Sequence, residues 1–347
     1  MREDYTATPI IWIESSQRLK ETLVATIKDV AQKAGVTVTT VSRVLNNRGY
    51  LSKDTRDKVF QAMEELNYKP NAIARSLYAK KSGIIGLILP ALRHPFFAEL
   101  AGFIEQYANL HAYKLLVCDS NHDALREKEF VDLLKSNQID ALIMASHTLD
   151  VREFAGLDYP IVTFDRIIDG LSYVCSDNYR GGVLAAERLI HVGCEHVAHI
   201  CGNLQLDLLS NDRTKAFLDV MDKHGINPII VQTQTDVFDY KHYDNMIYPL
   251  LKDHPHLNGI FATSDLLAAH VLRACYEMNI KVPGDLRVIG YDDVSLSELL
   301  VPQLTTIHQP IQEMAEMAVI LATQAQEADR FQQAHVFPVH MIQRYTC

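Results

Sequence analysis

Short apolar runs rich in Ile, Val and Leu recur along most of the chain, with helical periodicity between them. They are Ile84 to Leu89, Leu115 to Cys118, Ala141 to Ala145, Ile161 to Phe164, Val197 to Cys201, Ile229 to Val231, Ile260 to Ala262 and Val288 to Tyr291. Strands buried on both faces and separated by helices predict an α/β body of doubly wound parallel sheets. Eight such runs predict two sheets rather than one. No fixed-period repeat interrupts the alternation.

Residues 26–70 follow a different rhythm. Thr26 can cap a helix over Ile27 to Ala34, with Asp29 in its first turn and Gly35 as a left-handed stop. After the turn Gly35-Val36-Thr37, a second helix runs from Val38 to Leu45 with Val41, Val44 and Leu45 on one face. A third, beginning after Ser52, repeats the period with Val59, Ala62, Met63 and Leu66. Three short helices around one small core are expected, and Val38, Thr39, Ser42 and Arg43 point away from it.

Charge separates the same two regions. The whole chain has a formal net charge of −10. Residues 26–82 carry eleven Lys/Arg against five Asp/Glu, a net of +6, whereas residues 83–347 carry nineteen against thirty-four, a net of −15. A basic end on an acidic body is attracted to phosphate while the body stays off the polyanion. The six cysteines are scattered with no C-x-x-C pair, which predicts a reduced, cytoplasmic protein. The patch Ile10 to Ile13 is followed at once by Glu14 and Arg18, so neither a signal-peptide core nor a membrane span is expected.

Two helices joined through a glycine turn form a helix-turn-helix, whose second helix enters the major groove and presents its N-terminal outward residues to base edges. Val38 and Thr39 then face bases: valine methyls pack on a thymine methyl, threonine hydroxyls donate or accept, and Arg43 can grip a guanine with two bonds. Ser42, Asn46 and Lys33 suit phosphate oxygens. A solvated three-helix packing unit fits the periodicity as well.

The run Thr26-Ile-Lys-Asp-Val-Ala-Gln-Lys-Ala-Gly-Val-Thr-Val-Thr-Thr-Val-Ser-Arg-Val-Leu through Asn47, followed by Leu66-Asn-Tyr-Lys-Pro-Asn-Ala-Ile-Ala-Arg-Ser-Leu77, resembles the headpiece of the lac/gal repressor family. The resemblance implies a repressor whose Val38, Thr39 and Arg43 read bases. It also implies a hinge over residues 71–82 in which two helices, one per subunit, enter the minor groove at the operator centre. Leu77 would wedge between base pairs there and Ala74 would sit at the close approach. Pro70 ends the preceding helix, and Asn71 to Leu77 is too short to be a stable helix alone in water. An ordinary linker is the other reading of the Lys80-Lys81-Ser82-Gly83 stretch.

In open parallel sheets ligands bind beyond the carboxyl ends of the strands. Those ends are polar: Asp119, Ser120 and Asn121; Ser146 and His147; Asp165 and Arg166; Asn203; Ser264 and Asp265; Asp292 and Asp293. Carboxylates and amides accept from sugar hydroxyls, arginine donates a fork, and Phe96-Phe97 could wall the pocket. The same residue types also simply cap helices. The motifs His94 to Leu100, Ser176-Asp-Asn178, Arg213, Ser264-Asp265 and Gly290-Tyr-Asp-Asp293 resemble the periplasmic-binding-protein-like core of the same family, with Ser264 where relatives often have asparagine. The resemblance implies effector contacts from Phe96, Phe97, Arg213, Ser264 and Asp292, joined by His147 or Asp150 from the first subdomain. Details around Asn121, Ser146-His147, Phe164 to Arg166 and Cys194 resemble repressors of sucrose operons.

The resemblance further implies three crossings between subdomains. Subdomain 1 is expected over about 83–162 and 310–330, and subdomain 2 over about 163–309 and 331–347, with a final strand near Val339 to Ile342. Closure around a sugar or phosphosugar would spread the hinges of a homodimer on a pseudo-palindromic operator in double-stranded DNA. With no leucine-heptad tail before Cys347, a dimer is expected rather than a tetramer. Residues 1–25 match nothing in the family; they are expected to be disordered, or to precede a natural start near Leu23 or Val24.

His191, Cys194, His196 and His199 are close in sequence, but a helix end, a turn and a strand would point them apart, so no metal site is expected. No phosphate-binding glycine loop, nucleophile elbow or Ser/His/Asp set is legible; neither an enzyme nor a cofactor is expected. Two rivals remain: a transporter's solute-binding protein, which needs an export signal, and a regulator of the same family using a purine or phosphoprotein corepressor.

Overall fold

A computed structural model of the 347-residue chain describes residues 25–45, 48–69, 81–154, 159–233, 240–324 and 333–347. It divides into two compact units, Met1–Tyr78 and Ala79–Cys347. The expected N-terminal extension, Asn46 and most of the hinge, including Ala74 and Leu77, lie outside the described residues.

In the first unit, α1 (Ile27–Ala34), α2 (Val38–Leu45) and α3 (Lys53–Glu65) form where the pattern placed them. The Thr26 backbone N–H and hydroxyl both donate to Asp29, at 2.8 and 2.7 Å, which ties down the first turn of α1. Gly35 ends α1 at φ 66°, a conformation that favours a residue without a β-carbon. Thr37 takes the Thr40 N–H to open α2, and Ser52 takes the Thr55 N–H to open α3, each at 3.2 Å. Val30, Ala31, Val41, Val44, Val59 and Ala62 close the core.

The second unit contains two six-stranded sheets. The first is built from β1 (Ile84–Leu89), β2 (Lys114–Asp119), β3 (Ala141–Met144), β4 (Ile161–Phe164), β5 (Ser172–Ser176) and β11 (Ala334–Phe337), in the order β11-β5-β4-β3-β1-β2 and parallel throughout. The second is built from β6 (Val197–Cys201), β7 (Ile229–Gln232), β8 (Gly259–Ala262), β9 (Arg287–Asp292), β10 (Thr305–His308) and β12 (His340–Ile342), in the order β12-β10-β9-β8-β6-β7. Its edge strand β12 runs antiparallel to β10. Helices cover both faces: α4 (Pro95–Leu110), α5 (Ala124–Lys135) and α11 (Ile311–Gln324) on the first sheet, and α6 (Asn178–His191), α7 (Asp212–Lys223), α8 (Tyr240–Asp253) and α9 (Asp265–Glu277) on the second, with the short α10 (Leu296–Leu299) following β9.

Two sheets were expected, and so were three crossings, but the expected boundaries need correcting. The first sheet does not end near residue 162, which falls inside β4; it continues through β5 and is left only between Ser176 and Asn178. Nor does the return to the second sheet begin at 331, because β11 pairs with β5 and only β12 belongs with β10. Hydrogen-bonded pairing keeps Ser172–Ser176 and Ala334–Phe337 with the first sheet. Each sheet reverses its strand order once, between β1 and β3 and between β6 and β8. Such switch points open crevices at the carboxyl ends of the strands. No helix among the described residues is long and apolar enough to cross a membrane.

Candidate functional site

On α2 the inward residues Val41 and Val44 are buried, and Val38, Thr39 and Arg43 are exposed on the other side. Ser42 is half-buried. The outward face therefore offers a methyl pair, a hydroxyl and a guanidinium within two helical turns. Lys33, expected at phosphate, lies 2.8 Å from Glu65, in an ion pair that an incoming phosphate would have to compete with.

In the second unit a cavity of about 240 Å³ lies at the two switch points. The ends of β1 and β3 contribute Pro90, Ser146 and His147, the start of α4 contributes Phe96 and Phe97, the strand ends of the second sheet contribute Asn203, Thr263, Ser264 and Asp292, and the first turn of α7 contributes Arg213. Pro95 at the first position of α4 aims the Phe96-Phe97 pair, whose rings meet edge to face at 5.2 Å.

One polar network floors the cavity. The Arg213 Nε donates to Asn178 Oδ1 at 2.6 Å and its Nη1 to the Thr263 carbonyl at 3.2 Å, while its guanidinium lies 3.7 Å from the centre of the Tyr291 ring. Nη2 reaches toward Gln309 Oε1 at 3.5 Å and Asp165 at 3.9 Å. Gln309 Nε2 donates to Asp292 Oδ1 at 2.7 Å, and Asn178 Nδ2 donates to Asp165 Oδ1 at 2.9 Å. Burial pushes the Asp292 carboxyl up to about 7, against the opposing pull of Arg213 and the Gln309 amide. Burial also raises Asp165, opposed by Arg213 and Asn178. Behind Asp292, burial and the Asp292 charge raise Asp265 well above the usual carboxylate range. Asp265 accepts from Thr306 and from the Val294 N–H, and so holds the turn that carries Asp292. On the opposite wall burial brings His94 down to about 4, so it is a neutral ring at physiological pH.

Phe96, Phe97, His147, Arg213, Ser264 and Asp292 all line the cavity. Asp150 does not: it is exposed, and both of its oxygens are taken by Arg152, at 3.0 Å from Nε and 2.6 Å from Nη2. The arginine two residues on captures the carboxylate locally and holds it at the surface. The Ser264 hydroxyl accepts the Leu267 N–H at 3.2 Å, so it caps α9 as well as facing the cavity. Residues that sequence reasoning missed are Gln309, His122, Asn211 and Tyr243. Gln309 follows β10 as Asp292 ends β9, so the strand-end rule would have found it had β10 been recognised. His199 lies in the core, stacked on Phe217 and Phe261 with both ring nitrogens hydrogen-bonded, away from any shared site with His191 and His196.

Residues 26–71 match the family of bacterial regulatory proteins, lacI family, and residues 186–347 match the periplasmic binding protein-like domain. The chain is similar to the ribose operon repressor of Halalkalibacterium halodurans, 38% identical over 297 residues that cover 85% of this chain and 88% of that one. It is also similar to the sucrose operon repressor of Pediococcus pentosaceus, 35% identical over 323 residues, 92% of this chain and 98% of that one. Among solved structures, the lac repressor dimer bound to operator and the anti-inducer ONPF superimposes with a TM-score of 0.82 at 26% identity, covering 93% of this chain and 98% of that chain.

Proposed function

Because this chain belongs to the lacI family of bacterial regulatory proteins, we propose that its hold on operator DNA is governed by an unphosphorylated sugar in the cavity between the two sheets. It is a DNA-binding transcriptional repressor. Val38, Thr39 and Arg43 read base edges, Ser42 and Asn46 meet phosphate, and the hinge over 71–82, with Ala74 and Leu77, enters the minor groove. The repressor acts in the cytoplasm as a homodimer. The exposed Leu116 and Val117 on edge strand β2 supply an apolar edge for a second copy.

The observation that carries the sugar reading is the composition of the cavity wall. Two carboxylates, the buried Asp292 and the half-buried Asp165, stand beside one arginine that already donates to Asn178 and Thr263, and no lysine stands among the described lining residues. A phosphate dianion would meet Asp165 and Asp292, whereas hydroxyl groups donate to both and the phenylalanines cover an apolar sugar face. Effector contacts come from Phe96, Phe97, His147, Arg213, Ser264 and Asp292. Relatives named for ribose and sucrose operons favour the same ligand class.

Thermal-shift measurements with ribose, sucrose, fructose, their phosphates and purines test this, since a ligand of the native state raises the melting temperature. A free sugar is expected to give the largest shift. A response confined to phosphosugars or purines refutes it.

A further inference from the structure

Glu127 in the first turn of α5 has no exposed surface, which is rare for a glutamate unless its charge is bound from several sides. It lies behind the cavity, not in its wall. Its Oε1 accepts the Ser146 hydroxyl hydrogen, and its Oε2 accepts the Leu149 N–H at 2.8 Å. The carbonyl of Leu149 is held in turn by Arg166 Nη2 at 2.8 Å, from the end of β4. One carboxylate therefore clips the loop after β3 at two points, with an arginine bracing the far one. Ser146, one of the clipped residues, and His147, which lies between the clips, both line the cavity.

The chemistry of the first clip carries a consequence for selectivity. A carboxylate can only accept hydrogen bonds, and a hydroxyl has a single hydrogen to give. The Ser146 hydrogen is committed to Glu127, so toward any other partner the same oxygen can only accept. Inside the protein it already meets the Thr148 N–H in that sense, at 3.4 Å.

We propose that Glu127 is a positioning and selectivity-determining residue, which makes Ser146 an obligate hydrogen-bond acceptor toward the effector and holds the His147 loop against the cavity. The inference rests on the sugar reading given above. It predicts that the cavity requires a donating hydroxyl on the sugar carbon nearest Ser146. Replacement of Glu127 by glutamine supplies an NH2 group that can donate to Ser146 and so frees the serine hydrogen to turn toward the ligand.

The test uses the full chain and titration calorimetry with D-ribose, D-fructose and sucrose, and with their monodeoxyfluoro analogues, because fluorine keeps an acceptor and removes the donor. For the unmodified chain, one fluorinated position is expected to weaken binding about tenfold, the size of one lost hydrogen bond. In Glu127→Gln that penalty is expected to shrink to within about threefold, and amide exchange over residues 145–149 is expected to quicken. Ser146→Ala, a smaller change than the loss of a buried charge, is expected to abolish the position-specific penalty by itself. In that background Glu127→Gln should alter fluoro-sugar discrimination no further. A purely structural role would lower the melting temperature of Glu127→Gln with the fluorine penalty intact, and that result overturns the inference, as does a penalty that survives Ser146→Ala. If none of the three sugars binds the unmodified chain, the sugar reading falls and this inference falls with it. Sugar binding with unchanged discrimination in both variants removes this inference alone.

Discussion

Arg213→Ala removes the one arginine among the described residues of the cavity wall and leaves its neighbours in place. Arg213 is 7% exposed, and loss of its side chain deletes the charge-assisted bond to Asn178, the bond to the Thr263 carbonyl and the stacking on Tyr291. A desolvated cation–π contact is worth roughly 2 kcal/mol, and a hydrogen bond to a charged group about 1.5–3 kcal/mol. Asp165 and Asp292 also lose their cation, and breaking a buried pair from one side costs about 3–5 kcal/mol. The electrostatic part depends on pH, because a carboxyl can escape it by taking up a proton. Both folded-state values are already raised by burial, Asp292 to about 7, and loss of Arg213 raises them further. For an acid raised in the folded state, the unfolded chain ionises first, so stability is lost as pH climbs through the folded value. The variant is therefore expected to be about 3–5 kcal/mol less stable than the unmodified chain near pH 5, where Asp292 is protonated in both and the lost stacking and hydrogen bonds act alone, and less stable still near pH 8, where the unpaired carboxylates add to that loss. Urea unfolding followed by circular dichroism at the two pH values measures the difference. A loss of the same size at both refutes the assignment of Arg213 as the counter-charge of the buried carboxylates.

Arg43→Ala is expected to remove discrimination between operator and random duplex in gel-shift assays while leaving effector affinity unchanged, because Arg43 is exposed on α2 in a unit separate from the cavity. Persistent selection of the operator would refute its role. Gly182→Ala is expected to cost at least about 2 kcal/mol in urea melts. A β-carbon there would overlap the Arg213 carbonyl group, whose carbon is 2.9 Å away, and stand 3.0 Å from the Ala216 side chain. A near-neutral outcome would mean that α6 and α7 separate easily. Effector affinity is expected to fall as pH drops below about 7, because a hydroxyl donates more strongly to the ionised Asp292 carboxylate than to its protonated form and burial holds that carboxyl at about 7. A flat affinity between about pH 6 and 8 would show that Asp292 does not accept from the ligand.

The small basic unit was legible because its information is local. Thr26, Asp29, Gly35 and Ser52 mark helix ends within a few residues, and the buried faces recur at helical spacing. In the α/β unit the long aliphatic strands were equally plain, but β5, β10 and β11 were not. β5 and β10 hold polar or small residues whose burial depends on distant partners, and β11 is a four-residue edge strand with Ala334 and Val336 exposed. Thr305 and Thr306 of β10 are fully buried only because Cys347 and Asp265 accept their hydroxyls. Missing β10 hid Gln309, and missing β5 and β11 misplaced the crossings between sheets. Asp150 shows the opposite failure, since a correct sense of its neighbourhood could not reveal that Arg152 turns it outward. The strand-end rule did best where the residue is held by the network itself, as at Asp165 and Asp292.

Conformational strain is concentrated at those same strand ends. Asp165, Asp292 and Asp293 hold φ values of 49°, 112° and 59°, in the half of backbone space that L-residues rarely occupy. Each such residue costs on the order of 1–3 kcal/mol and persists only where its surroundings over-determine it. They do so here: Asp165 donates its N–H to Val174 and accepts from the Leu209 N–H, the Asp292 carbonyl accepts the Gln309 N–H, and Asp293 is gripped by His308 and Arg344. The polar floor is thus ordered before a ligand arrives, and little ordering entropy remains to oppose binding. Under the proposed effector control, the signal to DNA comes from the spacing between the two walls rather than from folding of a cavity loop. Contacts between the two walls include Leu209 N–H to the Asp165 carbonyl at 3.0 Å, Asn178 Nδ2 to Asp165 Oδ1 at 2.9 Å, the Ser176 hydroxyl to Gln309 Oε1 at 2.7 Å and Ser295 N–H to Glu99 at 2.8 Å. A ligand shifts such an equilibrium only by its difference in affinity for the two spacings. One that touches Phe96 and His147 on one sheet and Arg213 and Asp292 on the other has that difference, and one confined to a single wall does not.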